Sequence, residues 1–105
     1  MAMDSGTYVI TLDLLDPTLD LEGLNNFIKT SSMFENWWNH IPGVFLVVSR
    51  QDAAAISNAV RPFTKSARLL VIRTSPDDSE GLLSDRAWKW VKRRAHETAE
   101  RSAAE

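Results

Sequence analysis

Asp13 closes an alternating stretch in which Tyr8, Ile10, Leu12 and Leu14 share one side and Val9, Thr11 and Asp13 the other. A carboxylate at a strand end can hold a hard divalent cation. Mg2+ is often bound by one or two protein carboxylates, with water and a phosphate completing its shell, which suffices for phosphodiester cleavage. The commoner role of such an acid is to end the strand by accepting from neighbouring backbone amides, and Asp16 before Pro17 reads as a turn or cap acid. A second set lies near the C-terminus. At about 100° per residue, Arg86, Lys89, Lys92 and Arg93 fall on one arc of a helix, opposite Ala87, Trp90, Val91 and Ala95, with Trp88 at the edge. Four cations on one face can meet phosphates and would bind them in a salt-sensitive way. They can equally form a solvated face suited to the negative end of the helix dipole. Arg94 falls inside the apolar arc and must snorkel or pair.

Trp37, Trp38, Trp88 and Trp90 offer rings on which single-stranded bases stack, although core packing is the commoner use of tryptophan. Adjacent strand residues point to opposite faces, so one of Trp37 and Trp38 is expected on a helix-covered side and the other at a dimer contact. His40 and His96 have no paired ligand spacing, and there is no cysteine, which leaves no basis for a zinc site, a thiolate nucleophile or a disulfide. The glycines at 6, 23, 43 and 81 form no phosphate-cradling motif, and Ser49 has no acid–histidine partners.

The elements that must carry these residues follow from periodicity and turn signals. Tyr8–Leu14 is predicted as the first strand. Leu21, Leu24, Phe27 and Ile28 recur at helical spacing, with Asp20 and Glu22 near the positive end, which predicts a helix over 18–30. Pro42 and Gly43 suit the centre of a type II turn, making a hairpin between a short aromatic strand at 34–38 and an apolar one at 44–48. Ser49 with Asp52 three residues on resembles a capping box. Ala53, Ile56 and Val60 then form a helical stripe that Pro62 is expected to stop. Leu69–Ile72 is the fourth strand, 75–81 a polar loop, and 84–102 the last helix. This order predicts an α+β fold of the ferredoxin-like βαββαβ plan: a four-stranded antiparallel sheet with two helices on one face, plus a C-terminal helix.

The chain of 105 residues is expected to be a single domain, with its core at about 7–74. Its longest apolar run, Val44–Val48, is far short of the roughly 20 residues of a membrane span, and the start of the chain lacks a basic-then-apolar signal pattern. A cytoplasmic protein without membrane contact is the expectation. Overall net charge is −2, but residues 1–49 carry Asp4, Asp13, Asp16, Asp20, Glu22 and Glu35 against Lys29 alone. The later half is correspondingly basic. Strands 44–48 and 69–72 are apolar on both faces, so the face without helices needs a cover. Either the C-terminal helix or a second copy must supply it; a symmetric homodimer is the expectation, with the final helix then at the edge, and in a sheet-to-sheet dimer two Asp13 carboxylates would share one cation.

Three stretches also resemble known proteins. Val9–Leu14 (VITLDL) is a hydrophobic first strand ending in an acid, Trp37–Ser49 (WWNHIPGVFLVVS) a paired-tryptophan hairpin, and Asp52–Phe63 leading into Arg68–Ile72 a helix and strand. Together they resemble small bacterial SinR-like proteins and, more distantly, the small CRISPR-associated adaptation nucleases and VapD-type toxin ribonucleases. Leu12 stands where those families usually show an aromatic residue. The resemblance implies a ferredoxin-like homodimer acting on RNA or DNA, with Asp13 as catalytic residue and ligand to Mg2+ or Mn2+ at the dimer axis. From the residues themselves, Arg86, Lys89, Lys92 and Arg93 are the expected nucleic-acid contacts. The alternatives are a non-catalytic dimeric interaction or regulatory module and, more remotely, a small-molecule-binding regulator.

Overall fold

The β-branched and aromatic residues of GTYVITL, VFLVVS and LLVIRT favour extended backbone, and in the structure, a computed structural model describing residues 5–104, they form three adjacent strands. They are β1 (Gly6–Leu12), β3 (Val44–Ser49) and β4 (Leu69–Thr74), joined at one edge by β2 (Phe34–Ile41). The sheet runs β2-β3-β1-β4, and every neighbouring pair is antiparallel. Helices α1 (Leu21–Thr30) and α2 (Ala53–Thr64) connect β1 to β2 and β3 to β4, and α3 (Asp85–Ala104) follows β4. The result is a small α+β fold.

One face of the sheet is sealed by α1 and α2. Tyr8 lies opposite Val47, and Ile10 opposite Phe45 and Val71, so these side chains share a face and pack with Leu24, Ile28, Ile56 and Val60. Each such side chain taken fully from water contributes about 1.5–3 kcal/mol. Phe27 stacks on Phe63 at 5.2 Å, tying the two helices together. Asp20 caps α1 by accepting from Gly23 N–H at 2.9 Å, and Asp52 caps α2 by accepting from Ala55 N–H at 2.8 Å.

Several boundaries differ from the sequence expectation, each for a local reason. β1 stops at Leu12 rather than Leu14, because Asp13 Oδ1 accepts from Leu15 N–H at 2.9 Å and turns the chain. Leu14 therefore leaves the strand register. α1 begins at Leu21 rather than Thr18, since Asp16 Oδ1 accepts from both Thr18 N–H (2.8 Å) and its hydroxyl (2.6 Å), holding a turn ahead of the Asp20 cap. Ser49 is not the cap of α2: its hydroxyl donates to the Met33 carbonyl and accepts from Gln51 N–H, locking β3 to the start of β2. Pro62 does not stop α2. Its ring removes only the bond to Asn58, on an exposed flank of the helix, and the helix continues to Thr64, with Lys65 N–H donating to Arg61 O at 2.9 Å.

β2 is longer than the expected 34–38 and is interrupted twice. Phe34 pairs with Ser49 but Asn36 with Val48, so one extra residue shifts the register. This bulge lets Phe34 and Trp37, three residues apart, both reach the helix-covered face, while Asn36 and Trp38 occupy the other. The second irregularity, between Trp38 and Ile41, leaves Asn39 and His40 outside the ladder. Gly43 turns the hairpin at φ +78, as the third position of a type II turn requires, with Leu12 N–H donating to its carbonyl at 3.0 Å.

The second face is covered in part by the chain itself. α3 lies over β2 on this face: Trp38 Nε1–H donates to the Ala87 carbonyl at 3.4 Å, and Trp90 Nε1–H to Asn36 Oδ1 at 3.1 Å. Of the adjacent pair Trp37 and Trp38, the one lying away from α1 and α2 is Trp38, and it is buried within the chain beneath α3. α3 sits on the sheet face and not at its edge. Leu70 and Ile72 of β4 stay about half exposed, at 52% and 49%. Among the described residues, no helix is long and apolar enough to cross a membrane.

Candidate functional site

α3 starts where Ser84 offers both its groups: Oγ accepts from Ala87 N–H at 3.2 Å, and its carbonyl from Trp88 N–H at 3.0 Å. That start fixes the rotation of the helix. Ala87 and Val91 point inward and are buried, whereas Arg86, Lys89, Lys92 and Arg93 are all exposed, as the arc arithmetic predicts. Arg94, expected to snorkel or pair, is buried with its guanidinium 5.3 Å from the centre of the Trp90 ring. A cation over an indole face is attractive and lets the charge sit within an apolar arc. Ala95 and His96 lie outside the residues whose side chains are described.

The structure places three of the four cations on two different flanks. Lys89 and Lys92 line a concavity of about 500 Å³ together with Glu80 and Asp85, so their charge is partly offset by carboxylates. Arg86 lines the other flank, a groove of about 460 Å³ between β2 and α3 whose walls include Trp37, Trp38, Asn39, His40 and Trp90. Within this groove the Trp38 and His40 rings lie 5.1 Å apart at 57°. Trp37 leans to the other side of β2, where Lys29 Nζ sits 5.4 Å from its ring centre. Asn39, released from the ladder by the second irregularity of β2, donates through Nδ2 to the carbonyls of Ile41 (3.1 Å) and Val44 (2.8 Å). Its carboxamide is therefore held in one orientation.

Sequence reading found the basic arc but not Asn36, Asn39 or His40. A signal was present: asparagine is depleted in strands, and FENWWNHI holds two within an otherwise aromatic strand.

Asp13 is exposed at the end of β1 and shares a shallow pocket of about 220 Å³ with Arg68 and Leu70. One of its oxygens accepts from Leu15 N–H, and its own N–H donates to the Arg68 carbonyl at 3.1 Å. Each chain thus offers one remaining Asp13 oxygen, beside a cationic side chain. Among the described residues, no cluster of three or more His, Asp or Glu side chains could hold a metal. Asp16 is also committed locally: the hydroxyl and then the amide of Thr18 donate to it and hold its carboxyl below the ordinary carboxylate range. Lys29, Asp13 and the α3 cations are not brought together; the sheet separates the two sequence-predicted sites into a β1 end and a helix surface.

An apolar pocket of about 270 Å³ also lies beneath α3, walled by Val9, Leu46, Trp38, Trp88 and Val91 and flanked by the loop that carries Pro76 and Leu83. It marks where α3 and the sheet face do not fill the space between them. No protein-family model, curated protein or solved structure matches the chain.

Proposed function

We propose that this protein is a small homodimeric nucleic-acid-associated module on a ferredoxin-like fold, working in the cytoplasm and engaging phosphates through α3. The single observation that carries the reading is the seating of α3: its apolar arc is buried on the sheet while Arg86, Lys89, Lys92 and Arg93 all face solvent. A helix that merely closed a sheet would not require four cations on that side, where Asp85 is the one acid among residues 85–94. The strand order, with β1 between β3 and β4 and each helix joining strands that are not neighbours, supports the split βαβ plan. The half-open face over Leu70 and Ile72 supports pairing with a second copy. Replacing all four cations with glutamine and measuring affinity for RNA or DNA tests the reading. Loss of most binding with unchanged helix content supports it; unchanged affinity counts against it.

A second reading, cleavage assisted by Mg2+ or Mn2+, is favoured by one observation: Asp13 and the exposed Leu70 line the same pocket. Pairing over β4 would bring Asp13 to the contact between copies, where two carboxylates could hold a cation that polarises a phosphodiester. Asp13→Asn tests it. Cleavage in the presence of either metal that is abolished by the substitution supports the reading, and absence of cleavage in the parent removes it. The interaction-module alternative then remains, recognised by binding to protein but not to RNA or DNA.

A further inference from the structure

We infer that the groove between β2 and α3 is a base-stacking site, which makes single-stranded nucleic acid, rather than duplex, the ligand of this protein. The inference rests on the nucleic-acid reading above and deepens it.

Three kinds of group meet in this groove, and together they match a nucleotide. His40 and Trp90 supply ring surface over the buried Trp38, Asn39 a carboxamide oxygen, and Arg86 a cation on the helix side. Flat heteroaromatic rings stack on such side chains whatever their sequence, because every base has a π-face, and a nearby arginine suits the backbone phosphate. In a duplex the bases are already stacked on one another, so only unpaired nucleotides can use such a wall.

The wall is also held in place before any ligand arrives. Trp90 is fixed by its bond to Asn36 Oδ1 and by Arg94 against its ring, Trp38 by its bond to the Ala87 carbonyl, and Asn39 by two backbone carbonyls. Side chains already ordered lose little freedom on binding, which favours affinity. His40 is exposed and stands on the stretch where β2 departs from its ladder, as bulged residues beside binding sites commonly do. The opposite flank of α3 lacks this combination. There Lys89 and Lys92 share a concavity with Glu80 and Asp85, whose charge partly offsets theirs, so that flank attracts phosphate less strongly than the Arg86 side.

The test compares three labelled probes of equal length at one low salt concentration: a mixed-sequence single-stranded RNA, an abasic phosphodiester strand and an RNA duplex. Fluorescence anisotropy reads affinity, and quenching of tryptophan emission reads stacking. The intact single strand is expected to bind at least about fivefold more tightly than the abasic strand. Trp90→Ala and His40→Ala should each shrink that advantage and the quenching while leaving abasic affinity unchanged, and Trp90→Phe should restore most of it. Because Trp90 also seats α3, circular dichroism checks that variant, and the exposed His40→Ala carries the test if Trp90→Ala fails to fold. Equal binding of all three probes, or preference for the duplex, overturns the stacking site while leaving the nucleic-acid reading intact. If none of the three binds, the nucleic-acid reading itself fails, and the groove inference with it.

Discussion

On the face sealed by α1 and α2, Ile10, Leu24, Val47, Ile56 and Val60 show no exposure, whereas on the opposite face Leu70 and Ile72 keep about half of theirs. The second face carries Thr7, Thr11 and Asn36 among its apolar residues, yet Leu70 and Ile72 there are as apolar as the buried set, so composition alone is not the difference. The first face meets two helices whose stripes were laid down between the strands they connect, and it is filled to the edge. The second meets one helix that follows the last strand in the chain and is anchored over β2 by two tryptophan N–H groups. One face builds the fold, and the other is left with a groove, a pocket and open apolar surface. Features that could bind something are therefore concentrated on the face where packing is least complete.

That contrast can be broken most severely from the sealed side. Phe45→Ala removes a ring that is 1% exposed and should cost about 3–5 kcal/mol, a large share of the stability of a domain this size, read as a fall in the urea midpoint. On the α3 side, Val91→Ala should cost about 2 kcal/mol, from two lost methyl groups and the space they leave beside an existing pocket. If Val91→Ala proved as damaging as Phe45→Ala, the two faces would be equally structural. Replacing Leu70 and Ile72 with serine should shift the stability of the single chain by no more than about 0.5 kcal/mol for each. The same double variant should dissociate the proposed homodimer, as sedimentation velocity would show, and a dimer that survives it must use another surface.

The smallest effect lies at the turn after β1. Asp16 has its carboxyl held below the ordinary range by Thr18, so its bonds contribute stability that is present above the unfolded-state value and is lost as pH falls through the depressed one. Thr18→Val removes the larger cause, along with the acceptor for Ser66 N–H. The Asp16 midpoint, followed by carboxyl-carbon NMR, should then rise toward that of a free aspartate.

The legible part of this molecule was the part governed by periodicity. Alternation in Tyr8–Leu12 and helical spacing in Leu24, Ile28, Ile56 and Val60 each identify a buried face, and the arc of α3 separates Ala87 and Val91 from four exposed cations in the way the structure does. What periodicity does not encode is a single side chain competing for a backbone amide. Asp13 takes Leu15 N–H and ends β1 early; Asp16 takes Thr18 and delays α1. Pro62 shows the converse, a residue with a strong local rule that an otherwise well-packed helix carries through on its wet side. The groove was illegible for a third reason. It depends on an added residue in β2 that changes which side chains share a face, and then on α3 landing over that strand rather than at the edge. Register and docking are set by contacts across the chain, and no local window contains them.

The central claim, that the basic side of α3 is there to meet phosphates, is tested most directly by the salt dependence of affinity for single-stranded RNA. With all four cations engaged, log affinity should fall against log salt with a slope near −2.8, or roughly 50-fold for a fourfold rise in salt. Glutamine at 86, 89, 92 and 93 should remove most of that slope. Binding that does not weaken with salt, or a slope untouched by the four substitutions, would contradict the account.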